Sequence, residues 1–190
     1  MKRLAIFASG SGTNMQRIAE YFSDNKSVEI SIVVCNKPGA GVIHRADNLH
    51  IPVIMIDRDG FYQTDTLTKT LIEKEIDLIV LAGFLWLIPD HLLRAFQHRI
   101  LNIHPALLPK YGGKGMFGEK VHQAVVAAAE IKSGITIHHV NEKYDDGAII
   151  FQQEFLLEPN ETPESLAARI HLLEYRYFPE VIEKILLSLP

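Results

Sequence analysis

The sequence predicts an α/β fold: Rossmann-like, with a mostly parallel sheet, helices on both faces and an antiparallel C-terminal addition. Three observations carry this. Strand-like and helix-like segments alternate through the first half of the chain. The run Leu78 to Ala82 is apolar without interruption, as in a strand covered on both faces. A glycine-rich turn, Ser9-Gly10-Ser11-Gly12-Thr13-Asn14, separates the first strand from the first helix.

The elements follow in order. Leu4 to Ala8 reads as a strand, and Met15 to Phe22 has apolar residues at helical spacing. Val28 to Cys35 is rich in β-branched residues, as strands are. Val42, Ile43, Ala46 and Leu49 space like one helix face, and Pro52 to Ile56 reads as a third strand. A polar helical segment from about Phe61 to Glu75 leads into Leu78 to Ala82. Pro89 suits the first turn of a short helix through Phe96, and Ile100 to Ile103 is the next strand. After Pro109 the pattern changes to a glycine-rich loop, an Ala/Val-rich helix to about Ile131 and a strand from Ile135 to Val140. The turn Asp145-Asp146-Gly147 precedes a strand from about Ala148 to Phe155, and Pro163 opens the last helix. Neither a repeat nor an interdomain linker is visible, so residues 1–190 are expected to form a single domain.

Composition narrows the function classes. Nineteen basic residues against 23 acidic give a net charge of -4, which argues against a nucleic-acid binder that neutralises many phosphates. The lone Cys35 allows no intrachain disulfide. The apolar stretch after Lys2 and Arg3 ends at Ser9, too short for an export signal, and Leu78 to Ile88 is too short to span a membrane. A cytoplasmic protein without a membrane partner is expected.

In an open parallel sheet, ligands bind beyond the carboxyl ends of the strands, which directs attention to three segments. The turn ending in Gly12, Thr13 and Asn14 offers free N–H groups at a helix start, an anion site. A dinucleotide fingerprint would need a glycine at Met15, and no Gly-Lys-Ser/Thr follows, so a single phosphate is the reading that survives. Asn102 and His104 lie two apart at a strand end and point to one side, an amide and an imidazole suited to charge developing on a carbonyl oxygen. Asp145 could orient that imidazole and favour its charged form, although Asp and Gly also favour plain turns. His44, His50, His91 and His98 are expected at the surface or in packing. His138 and His139, adjacent in a strand, face opposite ways, so no metal site is expected. The loop Gly112 to Gly118 reads equally as a mobile border of the site or as a surface insertion.

Taken together, these residues resemble the phosphoribosylglycinamide formyltransferases of purine biosynthesis. The resemblance runs nearly end to end, through Leu81-Ala82-Gly83-Phe84, the block Leu101 to Tyr111, Gly134 to His138, Asp145 to Ile150, and Arg169-Ile170-His171 followed by Glu174. It implies transfer of formyl from 10-formyltetrahydrofolate, a cosubstrate, to the amine of glycinamide ribonucleotide, with no metal. It further implies Gly12, Thr13, Asn14 and Glu174 for the phosphorylated substrate, and Asn102, protonated His104 and Asp145 for catalysis. Leu85, Trp86, Leu87, Ile88, Asn102, Val140, Asn141 and Tyr144 would bind the folate. The sequence departs from many relatives at Trp86, where they carry a basic residue; Arg58 is the one nearby candidate for a folate-binding arginine, and the Gly113 to Gly118 loop looks longer. Two other readings remain: a different folate-dependent formyl enzyme, either a formyltetrahydrofolate hydrolase or a transfer-RNA formyltransferase, and a non-catalytic nucleotide-binding domain. Oligomeric state is not legible.

Overall fold

A computed structural model describes residues 1–189. Seven strands form one sheet: β1 (Lys2–Ala8), β2 (Val28–Cys35), β3 (Val53–Met55), β4 (Leu78–Leu81), β5 (Ile100–His104), β6 (Lys132–His139) and β7 (Ile149–Leu156). Their order is β3-β2-β1-β4-β5-β6-β7. The first five pair in parallel, whereas β6 runs antiparallel to β5 and β7 antiparallel to β6. The expected architecture holds, including the antiparallel addition.

The helices are α1 (Thr13–Phe22), α2 (Gly41–Asn48), α3 (Arg58–Gln63), α4 (Thr66–Glu73), α5 (Asp90–Ala95), α6 (Glu119–Ala127) and α7 (Pro163–Ser188). Alternation along β1 divides the core. Leu4, Ile6 and Ala8 face a cluster that includes Met15 and Ile18 of α1 and Ile170 and Phe178 of α7. Ala5 and Phe7 face the other cluster, with Phe61 of α3, Leu71 of α4 and Leu92 of α5. A capping box at Thr162 and Ser165 starts α7, and Pro163 fits its first turn. Pro179, buried inside that helix, has no N–H to offer the carbonyl of Tyr175.

Three departures from expectation exceed one or two residues or divide an element. The helical segment expected from Phe61 to Glu75 is two helices. Asp57 accepts from the Gly60 N–H at 2.7 Å and starts α3 early, while the extended backbone of Thr64 ends it. The helix expected to reach Ile131 stops at Ala127, because Ala129 adopts a left-handed φ of 48°. Strand β6 therefore begins at Lys132 and ends at His139, earlier at both ends than the expected Ile135 to Val140.

Candidate active site

One transverse row of the sheet places the chemistry. Ile54, Val34, Phe7, Leu81, Asn102 and His138 are successive partners across β3, β2, β1, β4, β5 and β6. The row is apolar as far as Leu81 and polar from Asn102 onward. Strand β5 then continues past this level to His104, whose ring lies on the same face as Asn102, while Ile103 between them points into the opposite core.

Asp145 completes the group, from the loop between β6 and β7. Gly147 makes that loop possible, since a Cβ there would lie 1.7 Å from the carbonyl oxygen of His139. Asp145 itself has a left-handed φ of 54°. Its carboxylate accepts from the Gly113 N–H at 2.9 Å and from Asn102 Nδ2 at 3.3 Å, and lies 3.5 Å from His104 Nδ1. Burial alone would raise the Asp145 carboxyl. Contacts with His138 and His104, attractive whenever those rings are protonated, and the Gly113 N–H together outweigh burial and hold it below its usual range.

The ring of His104 is 3% exposed, and burial pushes its pKa below the ordinary imidazole value despite the opposing pull of Asp145 and of the Tyr111 carbonyl. The expected imidazolium is thus disfavoured in this structure: desolvation outweighs the carboxylate 3.5 Å away. Nε2 lies 2.7 Å from the carbonyl oxygen of Tyr111, which can only accept, so the neutral ring carries its proton on Nε2. His138, weighed from sequence only as a metal ligand, belongs to this network. Its Nδ1 donates to the His139 carbonyl at 2.8 Å, which leaves Nε2 to accept from Asn102 Nδ2 at 3.0 Å. The two acceptors, His138 and Asp145, fix which way the Asn102 amide faces.

The glycine-rich turn forms a second wall of the same cleft. Gly12 caps α1 at φ 79°, and a Cβ there would come within 2.6 Å of Val42. Helix α2 engages the carbonyls of Gly10 and Ser11, through the Val42 N–H at 3.1 Å and Arg45 Nε at 3.0 Å. No side chain caps α1, so its first N–H groups remain available. Asn14 Nδ2 donates at 2.9 Å to Glu174 Oε2, and His171 Nδ1 lies 3.0 Å from the same oxygen. That hydrogen bond raises the His171 pKa against the effect of burial.

Leu85, Trp86, Leu87 and Ile88 make a third wall, joined by Val140 and Tyr144. Ser9 Oγ ties this wall to the turn by accepting the Leu85 N–H at 3.0 Å. Trp86 packs against Phe61, Tyr62 and Phe84 at centroid distances of 5.6, 6.1 and 6.2 Å. The walls enclose about 630 Å³, within the range of small-ligand pockets. Two expected residues lie elsewhere. Asn141 is not in the wall: its side chain accepts the Lys143 N–H at 3.0 Å and donates to Asp146, shaping its own turn. Arg58 sits over the Tyr62 ring at 5.5 Å, outside the wall. Lys37, Lys114, His122 and His171 line the cleft without having been assigned from sequence. His91, bonded to Thr68 and near the Phe61 carbonyl, packs as expected.

The formyl transferase family model matches residues 2–182. The chain belongs to the formyl transferase family. It is 42% identical over 188 residues to the chloroplastic phosphoribosylglycinamide formyltransferase of Arabidopsis thaliana, covering 95% of this chain and 64% of that one. It thus spans less than two thirds of that plant relative. The phosphoribosylglycinamide formyltransferase of Bacillus subtilis is 37% identical, with 98% of this chain and 95% of the relative covered. A crystal structure of the Bacillus halodurans phosphoribosylglycinamide formyltransferase superposes with a TM-score of 0.88 at 36% identity, covering 98% and 96% of the two chains. No helix among the described residues is long and apolar enough to cross a membrane.

Protonation couples this site to stability. His104, His122 and His139 all lie below the ordinary imidazole value, chiefly through burial. Below about pH 6.5 the unfolded chain binds protons that the folded chain refuses, so stability falls as pH drops from there through the folded values. Asp145, with a depressed folded value, loses its contribution at lower pH still; His171, with a raised one, loses its contribution as pH rises. Thermal unfolding by circular dichroism should give a Tm that falls as pH drops below about 6.5, with a shallower fall in His139→Gln. A Tm that rises on acidification would reverse the assignment.

Proposed function

We propose that the chain transfers a formyl group from 10-formyltetrahydrofolate to the amine of glycinamide ribonucleotide, as one catalytic domain over residues 1–190 acting on small molecules in the cytoplasm. The observation that carries this reading is the convergence of Asn102, His104 and Asp145 in the cleft that also contains the Gly12 turn. A hydrolase would need no site for the acceptor's phosphate, and a nucleotide sensor would need no such trio. Membership of the formyl transferase family and the names of the bacterial and plant relatives support the same choice.

The acceptor's phosphate lies on the N–H groups at the start of α1, at Gly12, Thr13 and Asn14. Glu174, oriented by Asn14 and His171, takes the ribose or glycinamide end. The pterin lies against Leu85 to Ile88, Val140 and Tyr144, near Asn102. The amine attacks the formyl carbon; its nitrogen–carbon bond forms and the bond from carbon to the folate nitrogen breaks. One amine proton ends on the departing nitrogen. Between these events the formyl oxygen carries negative charge; His104 Nε2–H donates to it, and an Asn102 Nδ2–H that turns from His138 or Asp145 is the second donor. A neutral imidazole serves here as a donor. Asp145, held ionised, keeps the Asn102 amide and the Gly113 loop in place beside that oxygen.

Mixing the protein with both substrates should give formylated ribonucleotide; release of formate alone would establish the hydrolase reading instead. Trp86, the sole tryptophan, provides a second measurement. Donor titration should quench its emission, after absorbance correction, with a midpoint equal to the donor Kd. Unchanged emission at saturating donor would place the folate away from the Leu85 to Ile88 wall.

A further inference from the structure

The acceptor's phosphate carries a charge of about −1.5 to −2 at neutral pH, whereas Arg45, the α2 arginine against the turn that receives it, is bonded to the Ser11 carbonyl and does not line the cleft. A helix N-terminus offers the equivalent of roughly +0.5. Ser11 and Thr13 add hydroxyls without charge, and the buried carboxylate of Glu174 lies beside Asn14. Three lysines and no arginine reach the wall of the cleft: Lys37, Lys114 and Lys143. Lys143 is on the folate side, next to Tyr144, and lies 3.8 Å from Asp146. Among the described residues, neither Lys37 nor Lys114 has an ion-pair or hydrogen-bond partner for its ammonium group.

Lys114 is placed by backbone that only glycine adopts readily. Its neighbours Gly113 and Gly115 have φ of 97° and 89°, and Gly118 closes the loop at 55°. The loop is tied at both ends to the site. The Gly113 N–H donates to Asp145, and Met116, whose N–H donates to the Gly113 carbonyl at 3.0 Å, packs on the core. From Gly118 the chain enters α6, whose His122 is buried in the cleft wall on the side of Glu174. A segment that was a surface insertion would have no reason to hold its lysine between two left-handed glycines while its first amide caps the Asp145 carboxylate.

The geometry points to Lys114 as a specificity-determining residue that completes the phosphate site of the acceptor, with Lys37, among the described residues, as the second unpartnered cation of the same cleft wall. The inference rests on the proposed function and adds to it a charge supplied by the long loop. A lysine serves as a point charge for phosphate and is free to follow the ligand, which suits an exposed loop position.

The test is calorimetric binding of ribose 5-phosphate and of ribose to the wild-type protein, Lys114→Ala and Lys114→Arg, together with KM for both substrates. Lys114→Ala should weaken ribose 5-phosphate about tenfold and raise the acceptor KM similarly, as loss of a charge-assisted contact does. Lys114→Arg should recover most of that loss, and raised salt should weaken the wild type more than Lys114→Ala. Unaltered phosphosugar binding in Lys114→Ala would overturn the inference while leaving formyl transfer intact. A selective rise in the donor KM would also overturn it, by assigning the cation to the folate carboxylates. Wild-type protein that binds no phosphosugar and transfers no formyl group would instead overturn the functional reading together with it.

Discussion

Replacing His104 with alanine should lower kcat by roughly 10²–10³-fold, the loss of ~2.7–4 kcal/mol that follows removal of one donor to a developing oxyanion. Its partners locate the effect in turnover. The ring touches Asp145 and the Tyr111 carbonyl, not the Gly12 turn, so the acceptor KM should change little. His104→Gln, which keeps an N–H donor in part of the same volume, should fall between the two. Steady-state kinetics of both variants, with circular dichroism to establish that they fold, measures this. Near-normal turnover in His104→Ala would remove the ring from the reaction and leave Asn102 as the only donor.

Asp145→Asn is expected to have an effect of similar size by a different route. The carboxylate has two acceptor oxygens in use: Oδ1 takes Asn102 Nδ2, and Oδ2 takes the Gly113 N–H and lies beside His104 Nδ1. An asparagine keeps one acceptor and turns an N–H toward one of these donors. The Asn102 amide or the loop amide then loses its partner, and the ring loses its neighbouring charge. A decrease in kcat of about 10²–10⁴-fold is expected, the range between a lost oxyanion donor and a lost carboxylate behind a catalytic imidazole. The His104 pKa should fall further below its already lowered value, because the charge that opposes burial is gone. An NMR titration of the His104 ring reads this directly. An unchanged imidazole pKa would show that the two groups are not coupled, whatever the activity.

The sequence makes the parallel half of the fold legible because each strand there is short, apolar and followed by a turn or helix signal. Val28 to Cys35 matches β2 end to end. Asn102 and His104 could be placed on one face because residues two apart in a strand must share a side. What stayed hidden depends on register. Nothing local to Gly134–His139 says that His138 rather than His139 stands opposite Asn102; that follows from the antiparallel pairing of β5 with β6. In the loop from Val140 to Gly147, Tyr144 and Asp145 turn into the cleft as the resemblance implies, but nothing local says that Asn141 closes on Asp146 instead. Charge state was the other limit. A carboxylate beside an imidazole suggests an imidazolium, but only the depth of His104 in the structure reveals that desolvation exceeds that attraction.

The contact between His104 and the Tyr111 carbonyl bears on how donor affinity relates to rate. The ring N–H already has a neutral oxygen partner at 2.7 Å, so a neutral formyl oxygen arriving there replaces one bond with another of similar strength. Little net affinity comes from that exchange. Once the incoming oxygen acquires negative charge the balance changes, because a bond to an anion is about twice as strong as one to a neutral carbonyl. The main-chain oxygen of a loop residue thereby cancels the ground-state share of the interaction, and what survives appears in kcat rather than in KM.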